Sequence, residues 1–376
     1  MLTPSRKVAV ACGAAAVAAC GVAVFAVLST PGWRLSTLVR MSRPEPIAAL
    51  ARKADPNFSF VDRQAHYDGV YFYAMALDPF GRGEAHTLID RPAYRYGHVG
   101  YSWLAGIASF GRASALPAAL LGVGLLAAGV AGFAASLLAT ELGLSGWFGL
   151  AVALSPGIVF AITADTSEPV GLALTLLGLL WWIRGRWIFG AVALAAACMT
   201  KEPLAVVPAG LAIWELLERA RGRGSQCLVG RLGALAAGPA LLLGWFVYLR
   251  ATFGLWPFQQ QPNVLTFPFA GWLNSIRRAA ALATGSYYRM QVGNAAISLL
   301  AVVGAALLIG ICFSRRLRTP VEPVFILSAI LISSLTWLGA MHPKDLFREA
   351  AVTMVLLPLA IAGRHTPTVE DTTDAT

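Results

Sequence analysis

Charge is scarce in this chain. Asp, Glu, Lys and Arg make up 13% of its 376 residues, against roughly 25% in a soluble protein, while 57% are hydrophobic. No soluble core needs that much apolar surface. The short alternating pattern of an outer-membrane barrel is missing, and so is any repeat of the solenoid kind. Cysteine is sparse and poorly placed for cross-links. Cys12, Cys20, Cys198 and Cys312 lie in apolar spans and Cys227 in a basic loop. None falls in a long polar loop, so no disulfide is expected. Acidic residues are fewer than basic ones, which leaves a net charge of +10. The basic residues stand in short clusters between apolar spans, as they do in cytoplasmic loops of membrane proteins, so nucleic acid is not an expected partner.

What the sequence does have is a series of apolar runs. Most are long enough to cross a bilayer core of about 30 Å. In lipid the backbone must satisfy its own hydrogen bonds, so these runs should be helices. We place spans near 7–29, 115–139, 146–163, 169–183, 187–200, 203–218, 232–250, 293–313, 322–340 and 346–363. The expected class is an all-α polytopic membrane protein with about ten transmembrane helices. It forms one domain over 1–363, followed by a cytoplasmic tail over 364–376 whose Glu370, Asp371 and Asp374 stand among threonines, a composition that reads as disordered. Arg6 and Lys7 precede the first run, which resembles either a signal peptide or an anchor. The run continues past the faint cleavage box at Val17–Cys20, so an uncleaved first helix is the reading.

Short-loop lysines and arginines set the orientation. Counting from a cytoplasmic N-terminus, Arg184 and Arg186, then Arg219, Arg221, Arg223 and Arg231, then Arg315, Arg316 and Arg318, then Arg364 all fall inside. A further span at 99–111 would reverse that order, so this segment reads as an interfacial or re-entrant helix. Two large loops are left outside, near 30–114 and 251–293. The expected location is the cell membrane, with both termini cytoplasmic and the polar face outside.

The first loop carries the densest chemistry, in His66-Tyr67-Asp68-Gly69-Val70-Tyr71-Phe72-Tyr73-Ala74-Met75-Ala76-Leu77-Asp78-Pro79-Phe80. Val70, Tyr73 and Leu77 share one face of a short helix over 69–77, which Pro79 stops. Asp68 at its entrance can cap free N–H groups. It can equally be a carboxylate held at the membrane surface, facing a cavity.

The aromatic–Asp–Gly–aromatic pattern of Tyr67-Asp68-Gly69 resembles the first extracytoplasmic loop of GT-C glycosyltransferases. The likeness is greatest to the mannosyltransferase group that includes the second mannosyltransferase of GPI-anchor synthesis, and to related bacterial enzymes. It extends to Pro92-Ala93-Tyr94-Arg95-Tyr96, to Leu154-Ser155-Pro156, to Thr163-Ala164-Asp165-Thr166-Ser167-Glu168 and to Met199-Thr200-Lys201-Glu202, over roughly the first 220 residues. The chain departs at Leu77-Asp78-Pro79-Phe80, where GPI-type members more often continue with Gly-Tyr-Pro. The resemblance implies a GT-C-like fold and transfer of a sugar, mannose in the related enzymes, from a polyprenyl-phosphate donor to a hydroxyl of a glycan, lipid or protein acceptor. It implies Asp68 as the base.

Such a reaction needs a carboxylate for the acceptor proton and cations for the phosphate leaving group. The topology puts His66, Tyr67, Arg95, Asp165, Glu168, Lys201, Glu202 and Arg348 on the outer side with Asp68, as candidate substrate-binding residues. His342, Lys344, Asp345 and Glu349 share that side, although interfacial charges often only snorkel to headgroups. No cofactor is required. A divalent metal held by His66, His86, His98 or His342 with Asp68 and Asp78 is conceivable, but no pair has tight ligand spacing. Glu141 reads as structural. Gln259-Gln260-Gln261 with Trp256 and Phe258 reads as a sugar contact or a plain turn. The rival functions are a transporter or flippase, which would bury charge mid-membrane, and a non-catalytic protein of the same fold.

Overall fold

The computed structural model describes residues 3–30, 32, 34–223, 225–261, 264–281, 317–336 and 343–362. The expected span at 293–313, Cys312, His342, His365 and the tail lie outside the described residues.

All regular structure among the described residues is helical. In chain order the helices are α1 (Pro4–Leu28), α2 (Ala48–Ala54), α3 (Gly69–Leu77), α4 (Pro92–Arg95), α5 (Gly100–Ala108), α6 (Leu116–Glu141), α7 (Leu150–Ala153) and α8 (Pro156–Ile162). They continue with α9 (Glu168–Ile183), α10 (Trp187–Thr200), α11 (Val206–Ala220), α12 (Leu228–Phe253), α13 (Pro257–Gln260), α14 (Ala270–Ala281), α15 (Val321–Ser333), α16 (Pro343–Glu349) and α17 (Ala351–Ala362). Three helices, Pro4–Leu28, Ala113–Glu141 and Leu228–Phe253, are long and apolar enough to cross a membrane. Shorter apolar helices stand at α9, α10, α15 and α17. Large apolar side chains such as Val22, Phe25, Leu126, Val229 and Leu243 are exposed on the three long helices. A surface of that kind suits lipid rather than water.

The apolar runs place the helices well, and the exceptions have local causes. The run at 146–163 is broken into a 3-10 turn, α7 and α8, because Pro156 has no N–H to give and its ring clashes with the preceding turn. The run at 346–363 is interrupted at Ala350, between α16 and α17. The helix expected over 322–340 ends at Ser333, where Ser333 and Ser334 carbonyls accept the N–H groups of Phe269 and Thr266 at 2.7 Å each. The second loop is thereby stitched to the end of α15. Segment 99–111 forms the nine-residue α5, packed on α3 and α6.

α1 packs on α6, α6 on α9, α9 on α10, and α10 on α12, while α11, α15 and α17 complete the bundle. The α1–α6 seam is built of small residues: Ala9, Cys12, Gly13 and Ala16 are buried on α1, and Ala128, Ala131 and Gly132 on α6. Small side chains let the two backbones approach, the usual solution where burial of bulky groups gains little over lipid.

The two ends of α9 differ in chemistry. At its C-terminal end Arg184 meets Glu141 at 2.8 Å, and nearby Arg231 meets Glu215 at 2.8 Å, with the indole N–H of Trp182 also on Glu215. At the other end, about 24 Å away for sixteen residues at 1.5 Å each, stands Glu168. α8 and α16 come so close there that a Cβ on Gly157 would collide with the backbone carbonyl of Phe347. This contact sets the position of α16 and of Arg348 on it. Gly157→Ala is expected to lower stability by about 1–3 kcal/mol, the range for an overpacked contact, read as a lower melting temperature in detergent. An unchanged melting temperature would mean that α16 is free to move away.

Candidate functional site

Asp68 is placed by its neighbours in sequence. The N–H of Tyr67 donates to the Arg40 carbonyl at 3.2 Å. A Cβ on Gly69 would lie 2.5 Å from the Ala164 carbonyl oxygen and 2.7 Å from that of Val39, so only glycine fits between these strands of backbone. α3 then starts immediately, over the residues the sequence suggests. Its burial differs from the expected single apolar face: Val70, Phe72, Tyr73, Ala74, Met75 and Ala76 are all buried, which surrounds the helix. The capping reading of Asp68 fails. Its backbone is already helical and its side chain caps no N–H group. The carboxylate instead accepts from Arg348 Nη1 at 2.8 Å and Arg95 Nη1 at 3.2 Å.

These contacts open a continuous ionic network. Arg348 also lies 3.4 Å from Glu168 and 3.6 Å from Glu349. Lys201, at the end of α10, lies 2.7 Å from Glu168 and 2.8 Å from Glu349. Arg95 stacks on the Tyr71 ring at 3.4 Å and reaches Asp90 at 3.2 Å. His98 meets Glu202 at 2.6 Å. The Tyr67 hydroxyl donates to Asp345, while its ring faces Lys344 at 4.7 Å and Arg348 at 5.1 Å. Desolvation by itself would raise the Asp68 carboxyl; the guanidiniums of Arg348 and Arg95 outweigh it and hold the group at about 2. Burial likewise opposes the charge on Glu202, and the His98 ring beside it brings the carboxyl below its usual range. Burial disfavours the Lys201 ammonium, but Glu168 and Glu349 carry its pKa above the usual lysine value.

The network forms one end of a cavity of about 630 Å³. Asp68, Arg95, Glu168, Lys201, Glu202 and Arg348 line its polar end. Leu265, Leu331, Ile332, Leu335 and Val352 form an apolar wall, and Phe258 and Gln261 border it from the second loop. Such a space takes a ligand with an ionic or hydroxylated head and an apolar tail.

Six of the nine residues singled out from the sequence therefore converge on one cavity. Tyr67 stands behind it, against Asp345. His66 and Asp165 stand apart from it. His66 turns to Glu45 at 2.8 Å. Asp165 is 1% exposed, adopts a left-handed φ of 45°, and neither carboxylate oxygen has a hydrogen-bond partner among the described residues. Burial pushes its carboxyl well above the ordinary value, against the pull of Arg40. Sequence reasoning underrated Asp345 and Glu349, and it passed over Tyr71, Asp90 and Tyr94 as polar partners. The adjacency of Glu349 to Arg348 was the one available signal. Gln260 accepts the Tyr94 N–H at 3.2 Å and Gln261 accepts from Arg91, so the glutamine run ties the second loop to α4. Among the described residues the histidines are dispersed, with His86 on Asp78 at 3.0 Å, His66 on Glu45 and His98 on Glu202. Among the described residues no group of three His, Cys, Asp or Glu side chains is arranged to hold a metal.

No protein-family model, no curated protein and no solved structure matches this chain.

The depressed Asp68 carboxyl carries a pH signature. Its folded value of about 2 lies below the ordinary 3.8, so its ion pairs stabilise the fold fully above about pH 4, and that contribution is lost as pH falls towards 2. Wild-type protein should exceed Asp68→Asn in stability by about 2 kcal/mol at pH 6, with the gap closing between about pH 4 and 2 in thermal melts. A gap independent of pH would mean that Asp68 does not stabilise the fold as an anion.

Proposed function

We propose that this chain is a polytopic membrane glycosyltransferase of the GT-C kind, working on the outer face of the cell membrane with a polyprenyl-phosphate-linked sugar as donor. The observation that carries this reading is the amphipathic cavity. Five carboxylates, Asp68 among them, and the cations Arg95, Lys201 and Arg348 stand at one end of it, and an apolar wall runs from them between α15 and α17. The resemblance of Tyr67-Asp68-Gly69 to the first-loop motif of such enzymes points the same way. In this reading about ten helices cross the membrane, both termini are cytoplasmic, and the loops near 30–114 and 251–293 lie outside.

The chemistry follows from the placement. The prenyl chain lies along Leu331, Ile332 and Leu335. The phosphate sits by Arg348 and Lys201, which stabilise the charge that develops as it leaves. The acceptor hydroxyl stands at Asp68. Its oxygen attacks the anomeric carbon of the sugar and the bond from that carbon to the phosphate oxygen breaks. The electron pair departs with the phosphate, and the hydroxyl proton passes to Asp68. A single displacement inverts the anomeric centre. Mannose is the sugar favoured by the resemblance, and the acceptor is a glycan, lipid or protein hydroxyl. A transporter would be expected to hold its charged groups mid-bundle; here they gather beside the N-terminal end of α9, which favours chemistry at the membrane surface.

Purified protein incubated with polyprenyl-phosphate mannose and related donors should release polyprenyl phosphate, and Asp68→Asn should slow release by roughly a hundred- to ten-thousand-fold. No release with any donor, or a fully active Asp68→Asn, would contradict the reading. In intact cells, cysteines introduced at Ser59 and Gln260 should label with an impermeant reagent while one at Ser225 stays unlabelled. The reverse pattern would place the cavity on the wrong side of the membrane.

A further inference from the structure

Among the described residues, the lysine and arginines that line the cavity, Lys201, Arg95 and Arg348, are all engaged in ion pairs. The carboxylates of Asp68, Glu168, Glu202, Asp345 and Glu349 outnumber them along the same lining. A phosphoryl group that binds these cations competes with the carboxylates that hold them. The candidates differ in how far solvent reaches them. Glu168 is 5% exposed and shared by Lys201 and Arg348; Glu349 is 21% exposed and likewise shared. Asp68 is the most open of the three, at 29%. Its side chain caps no helix N–H, and the hydrogen bonds to its carboxylate come from guanidiniums. Asp68 is thus the most exposed of the three carboxylates that Arg348 meets.

We propose that Arg348, assisted by Arg95, is exchanged between Asp68 and the phosphoryl group of the lipid donor, so that donor binding itself frees Asp68 to act as base. The inference rests on the glycosyltransferase reading above and adds an order to it. Until donor binds, the two guanidiniums suppress the basicity of the carboxylate, so a water or acceptor hydroxyl that arrives first is not activated. When the phosphoryl oxygens take over the N–H groups of Arg348, the carboxylate loses its counter-charge, and its affinity for a proton rises. The acceptor proton then moves to Asp68 during transfer. When the lipid phosphate leaves, the guanidiniums return and expel that proton to solvent, which resets the site. Arg348 is in this account both a ligand of the phosphate and the positioning residue that keeps the base silent.

The exchange predicts that removing the competing carboxylate charge strengthens anion binding. Farnesyl phosphate, farnesol and inorganic phosphate are each titrated into detergent-solubilised wild-type protein and Asp68→Asn at pH 7. Asp68→Asn should bind farnesyl phosphate at least about tenfold more tightly, with farnesol unchanged. The same gain with inorganic phosphate assigns the exchange to the phosphoryl group alone, and a gain confined to farnesyl phosphate assigns it to a lipid phosphate; both uphold it. Equal or weaker binding of farnesyl phosphate by folded Asp68→Asn overturns the exchange while leaving the glycosyltransferase reading in place. Absence of farnesyl phosphate binding by either protein overturns both. Should Asp68→Asn not fold, infrared difference spectra of the wild type decide. Farnesyl phosphate should shift a carboxylate antisymmetric stretch, and an unchanged carboxylate region overturns the exchange.

Discussion

A guanidinium removed from water has to be met by negative charge, and the architecture of the polar end answers to that demand at Arg348. The residue is 11% exposed and lies within ion-pair distance of Asp68, Glu168 and Glu349. Those carboxylates come from the mouth of α3, the start of α9 and the end of α16, so one side chain joins three parts of the chain that are far apart in sequence. Lys201 repeats the arrangement from α10, sharing Glu168 and Glu349. A buried pair of this kind adds little net stability over an apolar contact, but losing one member leaves an uncompensated charge and is strongly destabilising. The network therefore acts chiefly as a constraint on geometry. It holds Asp68 beside a cavity that also carries an apolar wall.

Backbone packing prepares the ground for those charges. Gly69 lets the chain pass between the carbonyls of Val39 and Ala164, and Gly157 lets α8 lie against α16. Neither contact involves a charged atom, yet together they fix the Asp68 and Arg348 backbones. The buried Asp165, with its left-handed backbone, occupies the same layer. The residues that touch the cavity and the residues that position them are thus separate sets drawn from the same short segments.

The helices were largely legible because apolar runs leave few alternatives, and the boundaries of α3, α9 and α10 fall where the pattern puts them. Pro156 was legible too, but its consequence was not, since a proline in a long apolar run can kink a helix or split it. The site was legible as a population: charges at one end of the helices, on one side of a consistent alternation. Its pairings were not. Asp68 before a helix looks like a cap, and only the arrival of Arg348 from 280 residues away shows what its carboxylate binds. Asp165 and Glu168 look equivalent in sequence, three residues apart. Asp165, with its left-handed backbone, is buried away from the cavity, while Glu168 lines it. Periodicity carries information about which face a residue occupies, and none about which distant partner meets it there.

The central claim is that Asp68 and Arg348 act as one ionic unit at the head of the cavity. A double-mutant cycle on unfolding stability tests it most directly, with Asp68→Asn, Arg348→Gln and the combined variant measured at pH 7 in the same detergent. The account predicts a coupling of about 1–3 kcal/mol, the double variant being less damaged than the two single losses together. Additivity within about 0.5 kcal/mol would contradict it, because two residues that do not interact lose nothing more from each other's absence.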